Sequence, residues 1–280
     1  MKKLLLSLAL LSWGSTQAQL SFEGIYLQNG AFYGAGKGSV SDFQTLAPQS
    51  VLLQQDLSVY QAYPVMNFTF PGQSQSLSVG LKMAKLPNAT LRLGLMHTNQ
   101  QNALAIGGSF TETFRIDTLT SSQTGDQFFI DSFSTHSYNA NYSQEQLRLD
   151  ASLLFRYNAD KRWSFYGGIG ANFGLSYNAQ TIVNQYVSPY GSDYGYGLFN
   201  DMVYNGTHTQ ETFENKGGFG FGVYAPLGID FRIGKKRDFW MPLHLYMELR
   251  PGFNVNQIAG LGTSFSAGNF SNVGLRFHLK

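Results

Sequence analysis

Five histidines and 17 carboxylates are the side chains from which this chain could assemble a reactive centre, and it has no cysteine. His136 and His208, with Asp126, Asp131, Asp193 and Asp201, are the parts from which an acid–base or serine–histidine hydrolase could be made. No HExxH and no GxSxG spacing is present, and a hydrolytic site needs a base held against a nucleophile rather than scattered histidines. His97, His244 and His278 lie inside strand-like runs and read as structural. The reading is therefore that the chain is not an enzyme. Without thiolates or clustered ligands, neither a metal nor any other cofactor is expected.

A second set of polar residues is more orderly. Lys82, Arg92, Arg115, Asp117, Arg148, Asp150, Arg156, Asp230, Arg232, Glu248, Arg250 and Arg276, with His244 and His278, fall on alternate positions opposite apolar residues. If they face one enclosed space, their charges must be paired, because an isolated buried ion costs several kcal/mol. The expectation is an ion-pair network that fills that space. Hairpin geometry suggests Glu248 near Tyr224 and Arg232 near Trp240 as trial neighbours. Because arginines outnumber acids, a narrow anion-preferring pore is the alternative. A third set, Tyr186, Tyr190, Tyr194, Tyr196 and Tyr204, punctuates a Gly/Asn/Ser-rich stretch. That composition suits an adaptable binding surface.

The elements that must position these residues show a period of two. Trp163, Phe165, Ile169, Ala171, Phe173, Leu175 and Tyr177 share one face, against Ser164, Gly168, Gly170, Asn172, Gly174 and Ser176. Leu147, Leu149, Ala151, Leu153, Phe155 and Tyr157 oppose Gln146, Arg148, Asp150, Ser152, Leu154 and Arg156. Phe219–Ile233 and Phe239–Phe253 behave alike around Gly234–Asp238. These runs exceed the usual soluble strand and match the roughly 9–11 residues that cross a bilayer at a tilt.

Composition points the same way. Aromatic residues reach 15% and charged residues only 13%, where average proteins carry about 25% charged. Lys2-Lys3, the apolar run Leu4–Leu11 and Thr16-Gln17-Ala18 read as a signal peptide over residues 1–18. Its removal leaves 17 of the 19 basic residues against 17 acids. Such a neutral chain does not suit nucleic acid. Export, no long apolar helix and alternating strands together predict an all-β fold: a closed antiparallel up-and-down barrel in the outer membrane.

Residues 19–280 form one such domain in this reading. Ten strands are expected, eight or twelve remaining open. They include weak segments at Ser21–Tyr33 and Leu57–Phe70, separate strands around Leu91–Leu95 and Leu104–Ile116, and a last strand Phe270–Lys280. Glu112 is an exception on the outward face. Short turns are placed near 71–74, 99–102, 158–162 and 234–238. Long external loops are placed near 35–55, 119–144, 179–216 and 255–268.

The Gln17-Ala18-Gln19 junction, the Gly-rich run Tyr166–Gly174 and the ending Gly274-Leu-Arg-Phe-His-Leu-Lys280 resemble those of the small outer-membrane β-barrels of Bacteroidota, including PorT-like barrels. The ending differs from the usual insertion signal in closing on lysine. The resemblance implies contact with outer-membrane lipid and lipopolysaccharide, and assembly by the barrel-insertion machinery. It implies no particular activity. A structural or surface-interaction role is the main expectation, with an accessory part in envelope transport or secretion as the alternative.

Overall fold

A computed structural model of the chain describes residues 20–33, 36–62, 72–159, 161–191, 206–234 and 242–279. The expected signal peptide lies outside them. The strands are β1 (Leu20–Tyr33), β2 (Gly36–Lys37), β3 (Gln61–Ala62), β4 (Gly72–Met83), β5 (Leu86–Thr120), β6 (Gln127–Tyr157), β7 (Trp163–Gly191), β8 (Thr207–Asn215), β9 (Phe219–Tyr224), β10 (Leu227–Arg232), β11 (Leu243–Ile258) and β12 (Gly262–His278). One short helix, α1 (Val40–Leu46), and a 3₁₀ turn at Leu52–Gln54 lie between β2 and β3.

The pairing closes on itself. The order β10-β11-β12-β1-β4-β5-β6-β7 is continuous, and β10 also pairs with β7. Strands β9 and β10 are two parts of one crossing, separated by Ala225-Pro226 without a slip in register against either neighbour. Pro226 has no N–H to give the ladder, which accounts for the gap. Strands β2, β3 and β8 pair only with β5 or β7. Among the described residues, this leaves eight crossings in an antiparallel ring.

Eight is one of the counts left open in the sequence, and ten is corrected. Leu91–Leu95 and Leu104–Ile116 belong to the same strand, β5, which passes through the expected turn at 99–102 with a bulge. A bulge interrupts the alternation much as a turn does. Near 71–74 there is no turn among the described residues, since Gly72 is already paired with Phe32. The β4–β5 turn falls at Ala84-Lys85 instead. Of Leu57–Phe70, Gln61-Ala62 pairs briefly with β5 and residues 63–70 lie outside the described set.

Both described chain ends, the 84–85 turn and the 158–162 turn lie at one end of the ring, called the lower end here. At the opposite end, the described parts of 119–144, 179–216 and 255–268, expected to be loops, are largely strand, while 35–55 holds α1 and the 3₁₀ turn. β5 and β6 continue as a paired ribbon to a turn at 121–126, β7 and β8 pair from Ala179–Asn215 to Val187–Thr207, and β11 and β12 pair to Ile258–Gly262. The upper end is thus a sheet extension above the ring.

In the ring, alternation turns apolar residues outward. Leu77, Leu95, Leu149, Ile169, Phe173, Phe221, Met247, Leu249 and Val273 are all exposed. Aromatic residues mark both edges of the belt. Tyr157 and Trp163 stand near the lower end, where Trp163 packs against Phe231 at 4.4 Å between centroids. Tyr33, Tyr177 and Phe253 stand near the upper edge. Burying such a belt in water-free surroundings is its natural resting state, since each large apolar side chain gains about 1.5–3 kcal/mol on leaving water.

Above the ring the arrangement inverts. Three irregularities lie at one level: the bulge between Gln100 and Leu104, the shift between Ser143 and Glu145, and Asn178 in the left-handed region at φ 48°. Beyond that level, Leu104, Ala140, Tyr142, Ala179 and Val183 point inward. They bury Phe43 and Leu46 of α1 together with Leu52 and Leu53. The helix starts in a capping box, in which Asp42 N–H donates to Ser39 Oγ and Ser39 N–H to Asp42 Oδ2. The cap is tied to β8 by Ser50 Oγ–H and the Val51 N–H, both donating to the Glu211 carboxylate, and by Asn215 Nδ2–H on the Leu46 carbonyl at 2.7 Å. The upper end of the barrel is therefore covered by an apolar core.

Candidate functional site

The candidate site is the interior of the ring, where β strands present their polar faces to one another. Its lowest tier is built on Glu23 (β1), Arg156 (β6), Asp230 (β10), His244 (β11) and Arg276 (β12). Arg276 spans two acids, 3.1 Å from Glu23 Oε1 and 3.0 Å from Asp230 Oδ2. Arg156 lies 3.3 Å from Asp230 Oδ2 and donates to the Tyr26 hydroxyl at 2.8 Å. That hydroxyl donates in turn to Glu23 Oε2 at 3.3 Å. His244 Nδ1 lies 2.5 Å from Asp230 Oδ1 and 2.9 Å from Arg276 Nη2.

In the middle tier Arg92 (β5) makes a fork of two 2.9 Å bonds to Glu248 (β11) and donates Nε–H to Ser152 Oγ at 3.0 Å. Arg250 donates to the same Glu248, to Asp150 Oδ2 at 3.3 Å, and to Gln28 Oε1 at 2.5 Å. Tyr224 donates its hydroxyl to Asp150 Oδ1 at 2.6 Å. Glu248 is thus clamped between two guanidiniums, all three fully buried. Bidentate geometry of this kind is the strong form of the arginine–carboxylate contact.

The top tier is polar but, among the described residues, lacks a carboxylate. Arg148 donates to Asn172 Oδ1 at 2.7 Å and to Asn254 Oδ1 at 3.3 Å, and Gln146 donates to Ser176 at 3.0 Å and Asn256 at 3.4 Å.

Glycines make room for the large side chains. A Cβ on Gly170 would lie 2.4 Å from Tyr224 Cζ, one on Gly228 2.2 Å from Tyr166 Cζ, and one on Gly274 2.5 Å from Tyr246 Cζ. Tyr26, Leu154, Tyr166 and Tyr246 form a buried cluster between the lower and middle tiers. Ion pairs, rings and amides together fill the middle of the ring with buried side chains. An eight-stranded ring is about the size at which side chains just fill the interior.

Of the residues expected in the network, Arg92, Arg148, Asp150, Arg156, Asp230, Glu248, Arg250 and Arg276 are brought together inside. Lys82 and Arg232 lie at the lower mouth, beside His278. Arg115 is a correction, as is Asp117. Both are exposed on the ribbon above the ring, where Arg115 pairs with Asp131 at 3.2 Å and stacks over Phe129 at 3.7 Å. Glu112 lies on the same ribbon, 3.6 Å from His136, so it is no exception in an apolar belt. The trial pairs also change. Glu248 is held by Arg92 and Arg250, while Tyr224 serves Asp150. Trp240 lies outside the described residues, as do Tyr194, Tyr196, Tyr204, Asp193 and Asp201. Tyr186 stacks on His208 at 4.4 Å, and the backbone of Tyr190 pairs with Phe133.

His136 and His208 belong to different strands, and each stacks on an aromatic ring, His136 on Phe110 at 4.7 Å. The contacts of His136 are Ser134 and Glu112, and that of His208 is Asn184. Among the described residues no group of three His, Cys, Asp or Glu side chains is placed to hold a metal.

Sequence reasoning missed Glu23, Tyr26, Gln28 and Asn254. Glu23 carried a usable signal as a lone acid opening an apolar strand. The register slip between Phe22 and Gly24 hides its face from a strict count of two.

No family model matches this sequence, and no curated protein matches it. Solved structures with some likeness are small and larger outer-membrane barrels. Neisserial surface protein A is 12% identical with a TM-score of 0.33, covering 91% of this chain and 97% of that one. The attachment invasion locus protein Ail of Yersinia pestis is 10% identical with a TM-score of 0.31, covering 91% and 98%. OmpT of Vibrio cholerae is 11% identical with a TM-score of 0.15, covering 94% and 98%. At these identities and scores none of them says what this chain does.

Proposed function

We propose that this chain is a non-conducting outer-membrane β-barrel whose work is structural or lies in surface interaction. One observation carries the reading: the ring is polar and ion-paired inside, and apolar outside around its whole circumference. A soluble protein puts its arginines out and its leucines in. A closed ring with the reverse distribution has every backbone group paired and belongs in lipid. With its termini facing the periplasm, the cap and the extended sheet face outward, where lipid and lipopolysaccharide surround the belt. The barrel-insertion machinery would place it there. The resemblance to the small outer-membrane barrels of Bacteroidota belongs to this same reading.

The filled interior argues against a pore, since a permeating ion would have to displace Arg92, Glu248 and Arg250 from one another. His136 lies 3.3 Å from Ser134 Oγ, but Glu112 approaches the same Nε2, so among the described residues no acid holds the ring from its other nitrogen as a serine–histidine–acid hydrolase requires. The test is conductance in a planar bilayer together with envelope fractionation. We expect the protein in the outer-membrane fraction and no open steps from the reconstituted barrel. Open steps of stable size, or recovery from the soluble periplasmic fraction, would overturn the proposal.

A further inference from the structure

Below the lowest ion pairs, the lower mouth of the ring holds a cavity of about 550 Å³. Its wall includes Glu23, Lys82, Arg156, Arg232, Arg276 and His278. Arg156 and Arg276 are balanced by the two acids they share, Glu23 and Asp230. That leaves Lys82 and Arg232 over. Neither has a carboxylate within 4.0 Å among the described residues. Donors are left over as well. Arg232 Nε and Arg156 Nε are buried with no acceptor at hydrogen-bond distance, and His278 Nδ1, a donor or an acceptor according to its tautomer, is buried without a partner. Buried N–H groups without acceptors cost about 1–3 kcal/mol each, more when charged. A cavity that keeps several of them is made to receive acceptors from a ligand. Its inner end is closed by Tyr26 and the ion pairs above it, so a ligand here is held and not passed on.

We infer that this mouth is a binding site for a phosphate monoester. The charge decides between anions. Among the described residues two cations are left over, and a phosphate monoester carries about −1.5 to −2 at neutral pH with three acceptor oxygens. A carboxylate or a phosphodiester, each with one negative charge, would leave a cation uncompensated. Guanidinium N–H groups also match phosphate oxygens in geometry. The cavity is walled on its other side by Pro87, Pro242 and Leu279, which would suit the carbon part of such an ester. The ester could be soluble or the headgroup of a lipid such as phosphatidate, and the chemistry recognised is the same.

The test uses the full-length barrel, folded in a phosphate-free neutral detergent. Binding of glycerol 3-phosphate, inorganic phosphate, short-chain phosphatidate, short-chain phosphatidylglycerol and acetate is followed by calorimetry. We expect saturable binding of the monoesters, at least tenfold weaker binding of the diester and of acetate, and at least tenfold weakening in the Lys82→Gln/Arg232→Gln variant. Lys216→Gln, at the far end of the chain's fold, should bind like the parent. If the double variant does not fold, as judged by heat-modified gel mobility, Lys82→Gln alone carries the test, because Lys82 is exposed; it should weaken binding severalfold. Phosphatidate binding tenfold tighter than glycerol 3-phosphate assigns the site to a lipid, and equal affinity assigns it to a soluble ester. No saturable monoester binding by the parent, or equal affinity in the folded variants, would overturn the inference.

Discussion

The two halves of β7 bury opposite kinds of residue. Below Asn178 the strand turns Ile169, Phe173 and Leu175 outward and Asn172 inward. Above it, Ala179 and Val183 are the buried residues, packed against the cap. One inserted position changes the parity, because β7 carries an extra residue opposite Ser143–Glu145. A single strand thus serves two solvents, and the bulge is the device that lets it change over. The lower half suits lipid outside and needs its charges paired within. The upper half suits water outside and needs an apolar core, which the segment between β2 and β3 supplies.

If that contrast is right, the same chemical change should have different consequences in the two halves. The largest effect is expected in the middle tier of the ring. Glu248→Gln leaves Arg92 and Arg250 facing each other without a full counter-charge, and breaking a buried pair typically costs 3–5 kcal/mol. Urea unfolding in bilayers should show a loss of about that size, and a change under 1 kcal/mol would deny the network its structural role. The cap offers the counterpart. Phe43→Ala empties a fully buried ring position, a change that costs about 3–5 kcal/mol in a soluble core. Here the loss should be local. Limited proteolysis should cut between residues 36 and 62 while the ring keeps its folded gel mobility, and joint unfolding of cap and ring would show that the halves are not separable.

Arginine substitution separates the outer faces. Leu149→Arg, in the belt, should cost roughly 2–4 kcal/mol in a bilayer, whereas Phe114→Arg on the exposed ribbon should stay within about 0.5 kcal/mol. Similar costs at both sites would erase the boundary between them. The smallest effect is expected at Tyr142, whose hydroxyl is buried without a partner. Burial pushes its phenol up to about 12. Tyr142→Phe should leave stability unchanged or raise it by up to about 1 kcal/mol, since it removes an unsatisfied group.

How much of this was legible in the sequence follows the same boundary. In the lower half, alternation is strict and side chains differ sharply in polarity, so the faces of Leu147–Tyr157 and Trp163–Tyr177 can be read directly. Arg148 and Arg156 follow from the first of those faces, Arg92 from the run around Leu91–Leu95, and Glu248 and Arg250 from Phe239–Phe253. Above the boundary polar and small residues occur on both faces, with Gln180 outward and Ala179 and Thr181 inward, so the alternation fades and the strands read as loops. The bulge after Gln100 has the same local signature as a turn, which divided β5 in two; with Leu57–Phe70 counted as a further strand, that raised the count to ten. The pairing of charges was not legible at all. Arg92 and Glu248 are 156 residues apart in the chain, and only ring closure brings them together.

The central claim, that the ring lies in lipid and the extension in water, is tested most directly along β7. The chain has no cysteine, so single cysteines can carry a nitroxide at outward positions 169, 173, 175, 180 and 182 in a reconstituted bilayer. We predict that labels at 169, 173 and 175 relax strongly with oxygen and weakly with a water-soluble nickel chelate, and that the preference reverses at 180 and 182. Chelate access at 169 and 173 equal to that at 180 and 182 would contradict the account.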